Sequence, residues 1–210
     1  MSLTLENRYD EAASWWGGAM AKLGYRTAYT DLARRALGDR FFATIADVGT
    51  GSGDLAAAVC DTRQPPDRLV LADSSSRMLD QATRALAGRA AVVDGHFGPL
   101  DAIPDRDAFD LVLAGHVIEH LTDPEAAVRR LADLVKPGGL MLLIVSRPHW
   151  CQWLIWLRWR HRWFAAGKVR RMIAGAGLEA PEILPLSHGP PSRTSLGYLV
   201  RKPPRSTGGH

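Results

Sequence analysis

Short runs of apolar residues alternate with amphipathic segments along most of the chain. Each run is nearly continuous, as a strand buried on both faces of a parallel sheet requires. Strands that alternate with helices in this way predict an open α/β sheet. Two further β-like segments near the end of the sequence predict an antiparallel hairpin. The predicted strands cover residues 44–48, 68–72, 91–93, 109–114 and 140–145, followed by 182–187 and 195–201.

Capping residues and apolar periodicity place helices between these strands. Asp123 followed by Pro124 is a typical helix start, and Gly177 is expected to end a late helix. A run of serines at 74–76 offers an N-cap for a helix that extends through Met78 to Leu86. The other predicted helices cover residues 8–37, 123–135 and 167–176, and residues 136–139 are predicted to form a turn.

Three glycines at alternate positions follow the first predicted strand, in the pattern Gly49-x-Gly51-x-Gly53, with Asp47 two residues before them. An apolar, helix-prone segment comes next, so the order is strand, tight turn and helix. Glycine tolerates positive φ and lets a ligand approach the backbone closely. The exposed N–H groups at the start of a helix favour an anion. The sequence therefore predicts a ligand site at this turn.

The residues around the turn favour one kind of ligand. The dinucleotide fingerprint G-x-G-x-x-G needs a third glycine where this chain has Asp54. The acidic side chain of Asp47 repels a pyrophosphate and accepts hydrogen bonds from an ammonium group. Both features favour a ligand with an amino-acid end, such as S-adenosylmethionine (AdoMet).

Asp73 ends the second predicted strand, about 20 residues after the glycine turn. In nucleoside-binding α/β folds, an acid at this place accepts hydrogen bonds from the two ribose hydroxyls. A carboxylate can accept both at once. Asp73 is therefore predicted to bind the ribose, with helix capping as its alternative role.

Four motifs in this order resemble the class I AdoMet-dependent methyltransferases, in the small-molecule group that includes the ubiquinone and menaquinone biosynthesis enzymes. The motifs are Ala46–Gly53, Leu71–Ser75 with Met78–Leu79, Phe109–Pro124 and Leu134–Leu143. The resemblance implies a Rossmann-like, mostly parallel seven-stranded sheet with helices on both faces and an antiparallel C-terminal hairpin. It also implies AdoMet as the cofactor and S-adenosylhomocysteine as the product.

The resemblance further implies which residues bind the cofactor. The family places an acidic residue just after the third strand against adenine. Here either Asp94 or His96 occupies that place, beside Gly95. The full set of predicted cofactor-binding residues is Asp47, Gly49, Thr50, Gly51, Gly53, Asp73, Ser74, Met78, Asp94, Gly95, His96 and Ala114.

Chemistry is expected directly after the fourth strand, where His116-x-x-Glu119-His120 places three side chains on one helical face if the segment is helical. An imidazole is suited to taking a hydroxyl proton near neutral pH, so His116 is the predicted general base. A metal held by the three residues is the alternative; the ubiquinone O-methyltransferases carry a glutamate where this chain has His116. We expect no metal, and packing beneath the cofactor is a further role for His120.

Two more catalytic candidates lie elsewhere. His149 follows the fifth strand, and Tyr9 belongs to a predicted helical cap over residues 1–40. Each has a simpler alternative, since His149 also suits an ordinary loop and Tyr9 also suits packing.

The segment 146–166 is rich in tryptophan and arginine and holds five of the seven tryptophans. Aromatic residues beside cations suit a membrane interface, so residues 150–163 are a candidate for peripheral membrane contact. The same residues could form a lid over a hydrophobic acceptor, or pack on the sheet. The first two alternatives both point to a hydrophobic acceptor.

Composition limits the remaining possibilities. The 210 residues suit one domain, predicted over 1–201, with a disordered tail at 202–210. The two cysteines, Cys60 and Cys151, form no metal or disulfide pattern. The acidic residues near the N-terminus argue against a signal peptide, and no apolar run is long enough to span a membrane, so a cytoplasmic location is expected. The chain is basic, but the lack of a polar-Pro-Pro-aromatic motif and of a basic arm or recognition module argues against nucleic acid as the substrate.

The sequence thus predicts methyl transfer to a small, hydrophobic acceptor, with O-methylation favoured over C- or N-methylation. The alternatives are a regulatory module that binds AdoMet without turnover and, less favoured, a nucleic-acid methyltransferase. The sequence does not predict the identity of the acceptor or the oligomeric state.

Overall fold

A computed structural model describes residues 24–148 and 162–205 of the chain. Within these residues the strands alternate with helices in the predicted manner. The strands are β1 (Thr44–Val48), β2 (Arg68–Asp73), β3 (Val92–Phe97), β4 (Phe109–Gly115), β5 (Val135–Ser146), β6 (Glu182–Pro185) and β7 (Ser195–Arg201). The helices are α1 (Tyr25–Leu37), α2 (Asp54–Cys60), α3 (Ser76–Leu86), α4 (Pro124–Leu134) and α5 (Ala166–Gly175), with a single helical turn at Pro191–Thr194.

The seven strands form one sheet in the order β3-β2-β1-β4-β5-β7-β6. The first five strands pair in parallel, and β7 pairs antiparallel with both β5 and β6. The predicted fold class is therefore confirmed. The chain reverses its direction of strand addition between β1 and β4, and ligands of open α/β sheets bind at the carboxyl ends of strands at such a point.

Helices cover both faces of the sheet because successive strand residues point to opposite sides. On one face Leu111 and Leu113 of β4 pack against α1, α2 and α3. On the other face Val112 and Ala114 pack against α4 and α5. The near-continuous apolar runs of the sequence reflect this burial on both sides.

The predicted capping residues occupy the helix ends. Asp123 Oδ1 accepts hydrogen bonds from the backbone N–H groups of Glu125 and Ala126, at 3.0 and 2.9 Å. Ser75 Oγ accepts from the N–H of Met78 at 3.2 Å. Gly177 follows α5 with φ +73°, a conformation that glycine adopts without a Cβ penalty. These helices therefore begin and end near where local chemistry predicts.

Residues 136–139 do not form the separate turn that the sequence predicts. They lie inside β5 as an irregularity, because Phe109 pairs with Val135 and Leu111 pairs with Leu140. Gly138 has φ +81°, and its N–H donates to the carbonyl of Lys202 at 2.9 Å. The glycines thus let the strand bulge while it stays in the sheet.

The beginning of the predicted disordered tail is also ordered. Lys202 Nζ lies 2.8 Å from Asp107 Oδ1, and its backbone N–H donates to Gly139 at 3.0 Å. Arg205 also pairs with Asp107, at 2.9 Å. The prediction was wrong for residues 202–205, because these long-range contacts are invisible in a local Pro- and Gly-rich composition. Residues 206–210 lie outside the described part of the chain.

Within residues 24–148 and 162–205, no helix is both long enough and apolar enough to cross a membrane. The sequence predicts a helix over residues 8–37, and the structure describes the part of it that forms α1. This helix starts after Gly24, a residue with φ +82°. The rest of that prediction lies outside the described residues.

Candidate cofactor and active site

The glycine loop joins β1 to α2 at the carboxyl edge of the sheet. The backbone N–H groups of Gly49 and Thr50 both donate to the carbonyl of Ala72, at 2.8 and 3.0 Å. Gly53 donates in turn to the carbonyl of Thr50 at 2.8 Å. The loop is therefore attached to the end of β2 as well as to its own strand.

Each of the three glycines meets a different requirement, and all three have positive φ, between 53° and 83°. A Cβ on Gly49 would overlap Val117 Cγ2, from the segment after β4. A Cβ on Gly53 would lie 3.0 Å from Leu86 Cδ1 of α3, so this glycine permits helix packing. Among residues 24–148 and 162–205, no heavy atom lies within 4 Å of such a Cβ on Gly51, which faces open space there. Gly51 is thus the position where the loop can receive a ligand.

Asp47 lies under this loop at the end of β1 and is only 1% exposed. Its Oδ2 accepts a hydrogen bond of 2.8 Å from Thr50 Oγ1. Burial raises the pKa of the Asp47 carboxyl to about 7, although the hydrogen bonds from Thr50 and the backbone of Ala56 act in the opposite direction. A buried acid that is unstable as an isolated anion is well suited to pair with a ligand ammonium group.

Asp73 connects the loop to the start of α3. Its Oδ2 accepts from the N–H of Gly51 at 2.8 Å, and its Oδ1 accepts from the N–H of Ser75 at 2.9 Å. A carboxylate offers about four acceptor sites, so these two backbone bonds are compatible with further bonds to a ribose. The structure thus brings Asp73 together with the glycine loop and Asp47 at one edge.

The two candidates for the adenine contact differ in their surroundings. Asp94 forms an ion pair with Arg68 Nε at 2.7 Å, beside the start of β2 and away from its carboxyl end. His96 pairs in register with Ala72, close to the end of β2, and its Nε2 is buried with no hydrogen-bond partner among the described residues. Gly95 lies between them and faces Leu79 of α3. An orphaned buried ring nitrogen at this edge is suited to meet a ligand.

His116 follows β4 with φ +58°, an unusual conformation for a residue with a Cβ. Its N–H donates to the carbonyl of Ile144 at 2.8 Å, which holds the residue in place. Nδ1 lies 3.2 Å from Glu119 Oε1 and 3.0 Å from Ser146 Oγ, and Nε2 lies 3.4 Å from Ser195 Oγ. Backbone strain of this kind persists where the surroundings determine it and often marks a functional residue.

Glu119 is 2% exposed, and its side chain is fully buried. Oε1 accepts from the N–H of Ser146 at 2.6 Å and contacts His116, whereas buried Oε2 has no hydrogen-bond partner in the part of the chain that the structure describes. Burial acts to raise the pKa of Glu119, but the hydrogen bond and charge of His116 and the N–H of Ser146 outweigh it and lower the pKa. The carboxylate is therefore ionised at neutral pH.

Residues 116–120 form a bend and a turn, so the helical spacing assumed for His116, Glu119 and His120 is wrong. The positive φ of His116 prevents the helix from starting there. His116 and Glu119 are in contact all the same. Among the described residues no group of three histidine, cysteine or acidic side chains is arranged to hold a metal.

The remaining predicted residues take varied positions. Ser74 is exposed after β2, Met78 is 1% exposed on α3, and Ala114 is fully buried on β4. The side chains of Met78 and Ala114 thus contribute to packing at this edge. Tyr9 and His149 lie outside the described residues.

Three residues beside His116 were not predicted from the sequence. Ser146 ends β5, Ser195 begins β7, and the ring of Tyr25 from α1 lies edge-on to the imidazole, with 5.9 Å between centroids. Ser146 carried a usable signal, because it is the polar residue that ends an apolar strand. Ser195 is 79 residues away from His116 in the sequence and carried none.

Comparisons with known proteins show the family to which the chain belongs. A family model described as a methyltransferase domain matches residues 22–180. A ubiquinone biosynthesis O-methyltransferase from Parvibaculum lavamentivorans is 28% identical, over 85% of this chain and 81% of that protein. A ubiquinone/menaquinone biosynthesis C-methyltransferase from Pseudomonas putida is 33% identical over 50% of this chain. This second match spans 42% of the relative's length.

Solved structures share the fold. A structure of the Haloferax volcanii Trm112 methyltransferase activator in complex with a methyltransferase matches with TM-score 0.75 and 20% identity, over 93% of this chain and 97% of the other. The N-methyltransferase NodS from Bradyrhizobium japonicum, in complex with S-adenosyl-L-homocysteine, matches with TM-score 0.68 and 19% identity. The match covers 85% of this chain and 87% of NodS.

The residues of this edge fit AdoMet: Asp47 suits its ammonium group, the open space at Gly51 suits close approach, and Asp73 suits its ribose. The family match covers most of the chain and includes every strand of this edge. The chain belongs to the methyltransferase domain family, and it is an AdoMet-dependent methyltransferase of the class I fold.

Proposed function

We propose that this enzyme transfers the methyl group of AdoMet to a hydroxyl of a small, hydrophobic acceptor, with His116 as the general base. The observation that carries the proposal is the position of His116. It lies one residue before Val117, whose side chain packs on Gly49 of the cofactor loop. A base at that position is next to the cofactor site and at the carboxyl end of β4.

The cofactor-binding residues follow from the same edge of the sheet. Asp47 accepts from the ammonium group, Gly49, Thr50, Gly51 and Gly53 shape the loop, and Asp73 accepts from the ribose. Of the two adenine candidates we favour His96, because Asp94 is already paired with Arg68. Bound AdoMet supplies a methyl group activated by a sulfonium.

The protein has two tasks in such a reaction. It aligns the acceptor oxygen with the methyl carbon, and positioning of this kind contributes about 7–11 kcal/mol. It also removes the proton of a weakly acidic hydroxyl, for which an imidazole is well matched near neutral pH. A neutral amine would not need this base, so a base at His116 favours a hydroxyl or a carbon acid over an amine as the nucleophile.

The tryptophan-rich segment supports a hydrophobic acceptor. The described chain leaves the site after Ser146 and returns at Arg162, whose N–H donates to the carbonyl of Glu119 at 3.2 Å. Phe164 N–H then donates to the carbonyl of Ser146 at 3.0 Å. Both ends of the segment are thus attached beside His116. This placement favours an acceptor lid over a membrane contact, and residues 149–161 themselves lie outside the described part of the chain.

The test is an assay of methyl transfer from labelled AdoMet to a panel of quinols, phenols, enols, amines and lipids. We expect O-methylated products from hydrophobic hydroxyl acceptors. His116→Gln should lower kcat by about 100-fold or more, the scale of general base catalysis, with AdoMet affinity unchanged. His188→Gln, at an exposed histidine in the loop after β6, is the matched control. Exclusive methylation of amines, or full turnover by His116→Gln, would contradict the proposal.

The lid has its own test. Acceptor binding should change the tryptophan fluorescence of the protein. The protein should not co-sediment with vesicles of zwitterionic or anionic lipid. Sedimentation with vesicles but no fluorescence response to a methylated acceptor would favour the membrane contact instead.

A further inference from the structure

The surroundings of His116 determine which of its ring nitrogens carries the hydrogen. In a neutral imidazole one nitrogen donates and the other accepts. Nδ1 faces Glu119 Oε1 at 3.2 Å and Ser146 Oγ at 3.0 Å. An ionised carboxylate can only accept a hydrogen bond, whereas a serine hydroxyl can donate or accept, so hydrogen on Nδ1 satisfies both neighbours. Nε2 then holds the lone pair.

Within the described residues, the charge of Glu119 is only partly compensated. Its side chain is fully buried, and in this part of the chain Oε2 has no hydrogen-bond partner and His116 is the ion-pair partner. A buried carboxylate is costly unless a cation and hydrogen bonds stabilise it. Protonation of His116 would supply that cation. The imidazolium would therefore be the counter-ion of the buried carboxylate.

We propose that Glu119 is a positioning residue: its buried carboxylate holds the Nδ1–H of His116, so that Nε2 takes the proton of the acceptor, and it stabilises the imidazolium that results. The proposal rests on the proposed function, in which His116 is the base. It adds the atom that receives the proton and the residue that prepares it. Glu119 acts through His116 and does not touch the acceptor.

The step balances as follows. The O–H bond of the acceptor breaks, and its proton goes to His116 Nε2. The oxygen forms a bond to the methyl carbon, while the carbon–sulfur bond breaks and its electron pair stays on sulfur. The sulfonium charge disappears as the imidazolium charge appears beside Glu119. The imidazolium later returns its proton to solvent.

Two serines complete the arrangement. Ser146 fixes Glu119 through its backbone N–H at 2.6 Å, so the carboxylate cannot turn away from the imidazole without losing that bond. Ser195 Oγ lies 3.4 Å from Nε2, so this nitrogen already faces a buried hydroxyl, whose place the acceptor hydroxyl would take. The ring of Tyr25 limits rotation of the imidazole from a third side.

The first test requires no acceptor. Protein labelled with ¹⁵N-histidine is studied by NMR at pH 8, and the His116 signals are assigned by their loss in His116→Gln. We expect hydrogen on Nδ1 and an unprotonated Nε2. Hydrogen on Nε2 in the wild-type protein would overturn the proposal. Ser146→Ala should leave the hydrogen on Nδ1. A change of tautomer in that variant would mean that Ser146, and not Glu119, determines the tautomer, and this would also overturn the proposal.

The second test is kinetic, with an acceptor that the panel assay identifies. Glu119→Gln keeps an acceptor for the Ser146 N–H but removes the charge, so kcat should fall about tenfold or more while KM for AdoMet stays unchanged. Glu125→Gln, at an exposed glutamate of α4, is the matched control. Unchanged kcat, or a rise in KM for AdoMet equal to the loss in kcat, would overturn the positioning role.

The two proposals can fail separately. Full turnover by His116→Gln would remove the base itself. Loss of turnover in His116→Gln, with none in Glu119→Gln, would remove only the role of Glu119. If Glu119→Gln fails to fold, the tautomer of His116 in the wild-type protein, measured by NMR, decides whether the role of Glu119 stands.

Discussion

The backbone N–H of Gly51 donates a hydrogen bond of 2.8 Å to Asp73 Oδ2, across 22 residues of sequence. The glycine loop after β1 is thereby attached to the acid that ends β2. A residue predicted to bind the ribose thus also shapes the loop that is predicted to receive the amino-acid end of the cofactor. Loss of Asp73 should affect both the binding of the ribose and the shape of the glycine loop.

Asp73→Ala should weaken AdoMet binding by about 1–3 kcal/mol, the scale for losing hydrogen bonds to a charged acceptor. It should also lower the melting temperature, because the N–H groups of Gly51 and Ser75 lose their acceptor. Calorimetric titration and thermal unfolding measure the two effects, with Asp80→Ala, exposed on α3, as the control. Unchanged AdoMet affinity would show that Asp73 is not a ribose ligand.

Alanine substitutions should separate the loop glycines. Gly51→Ala should lower the free energy of unfolding by only about 1–2 kcal/mol, because of the positive φ of Gly51. It should reduce AdoMet affinity, because the new methyl group enters the open space that the ligand is predicted to occupy. Gly49→Ala should cost more stability, because its Cβ overlaps Val117.

Val117→Ala should partly rescue Gly49→Ala. In a double-mutant cycle by chemical denaturation, the two changes should therefore be non-additive. Additive free energies of unfolding would mean that the overlap is relieved elsewhere.

Asp47→Asn should stabilise the ligand-free protein at high pH. The pKa of Asp47 is raised to about 7, so the stability it contributes is fully present below its ordinary value near 4 and is lost as the pH rises through 7. The neutral amide avoids this loss, and its advantage at pH 8 over pH 5 should be on the order of 2 kcal/mol. Thermal unfolding at the two pH values measures it.

The same substitution should weaken AdoMet binding, because an amide offers no charge to the ammonium group. Equal stabilisation at pH 5 and pH 8 would mean that the pKa of Asp47 is not raised into this interval.

His96→Ala and Asp94→Ala distinguish the two adenine candidates. His96→Ala should weaken AdoMet binding, since the orphaned Nε2 gains a partner only with the ligand. Asp94→Ala should leave affinity unchanged and cost at most about 1 kcal/mol of stability, because its ion pair with Arg68 is more than 40% exposed. If calorimetric titration instead shows a loss of AdoMet affinity in Asp94→Ala and none in His96→Ala, Asp94 is the adenine contact.

Much of the fold was predictable because its signals are local. Asp123 and Ser75 cap helices through backbone groups two or three residues away, and the apolar runs mark the strands that lie inside a covered sheet. The irregularity at 136–139 was missed because Gly138 is held there by Lys202, which is far away in the sequence. The start of the expected disordered tail was missed for the same reason.

The sequence by itself determined the strands, the caps, the glycine loop with its two acids, and the family, since each depends on residue types within a short span. Only the tertiary structure decided that Asp94 faces Arg68, that His96 Nε2 lies buried without a partner, and that Glu119 meets His116 from a turn instead of a helix. Ser195 reaches His116 because β7 inserts beside β5, where Ser146 and Ser195 pair across the two strands. Strand order brings together side chains that lie tens of residues apart, and no local pattern encodes that order.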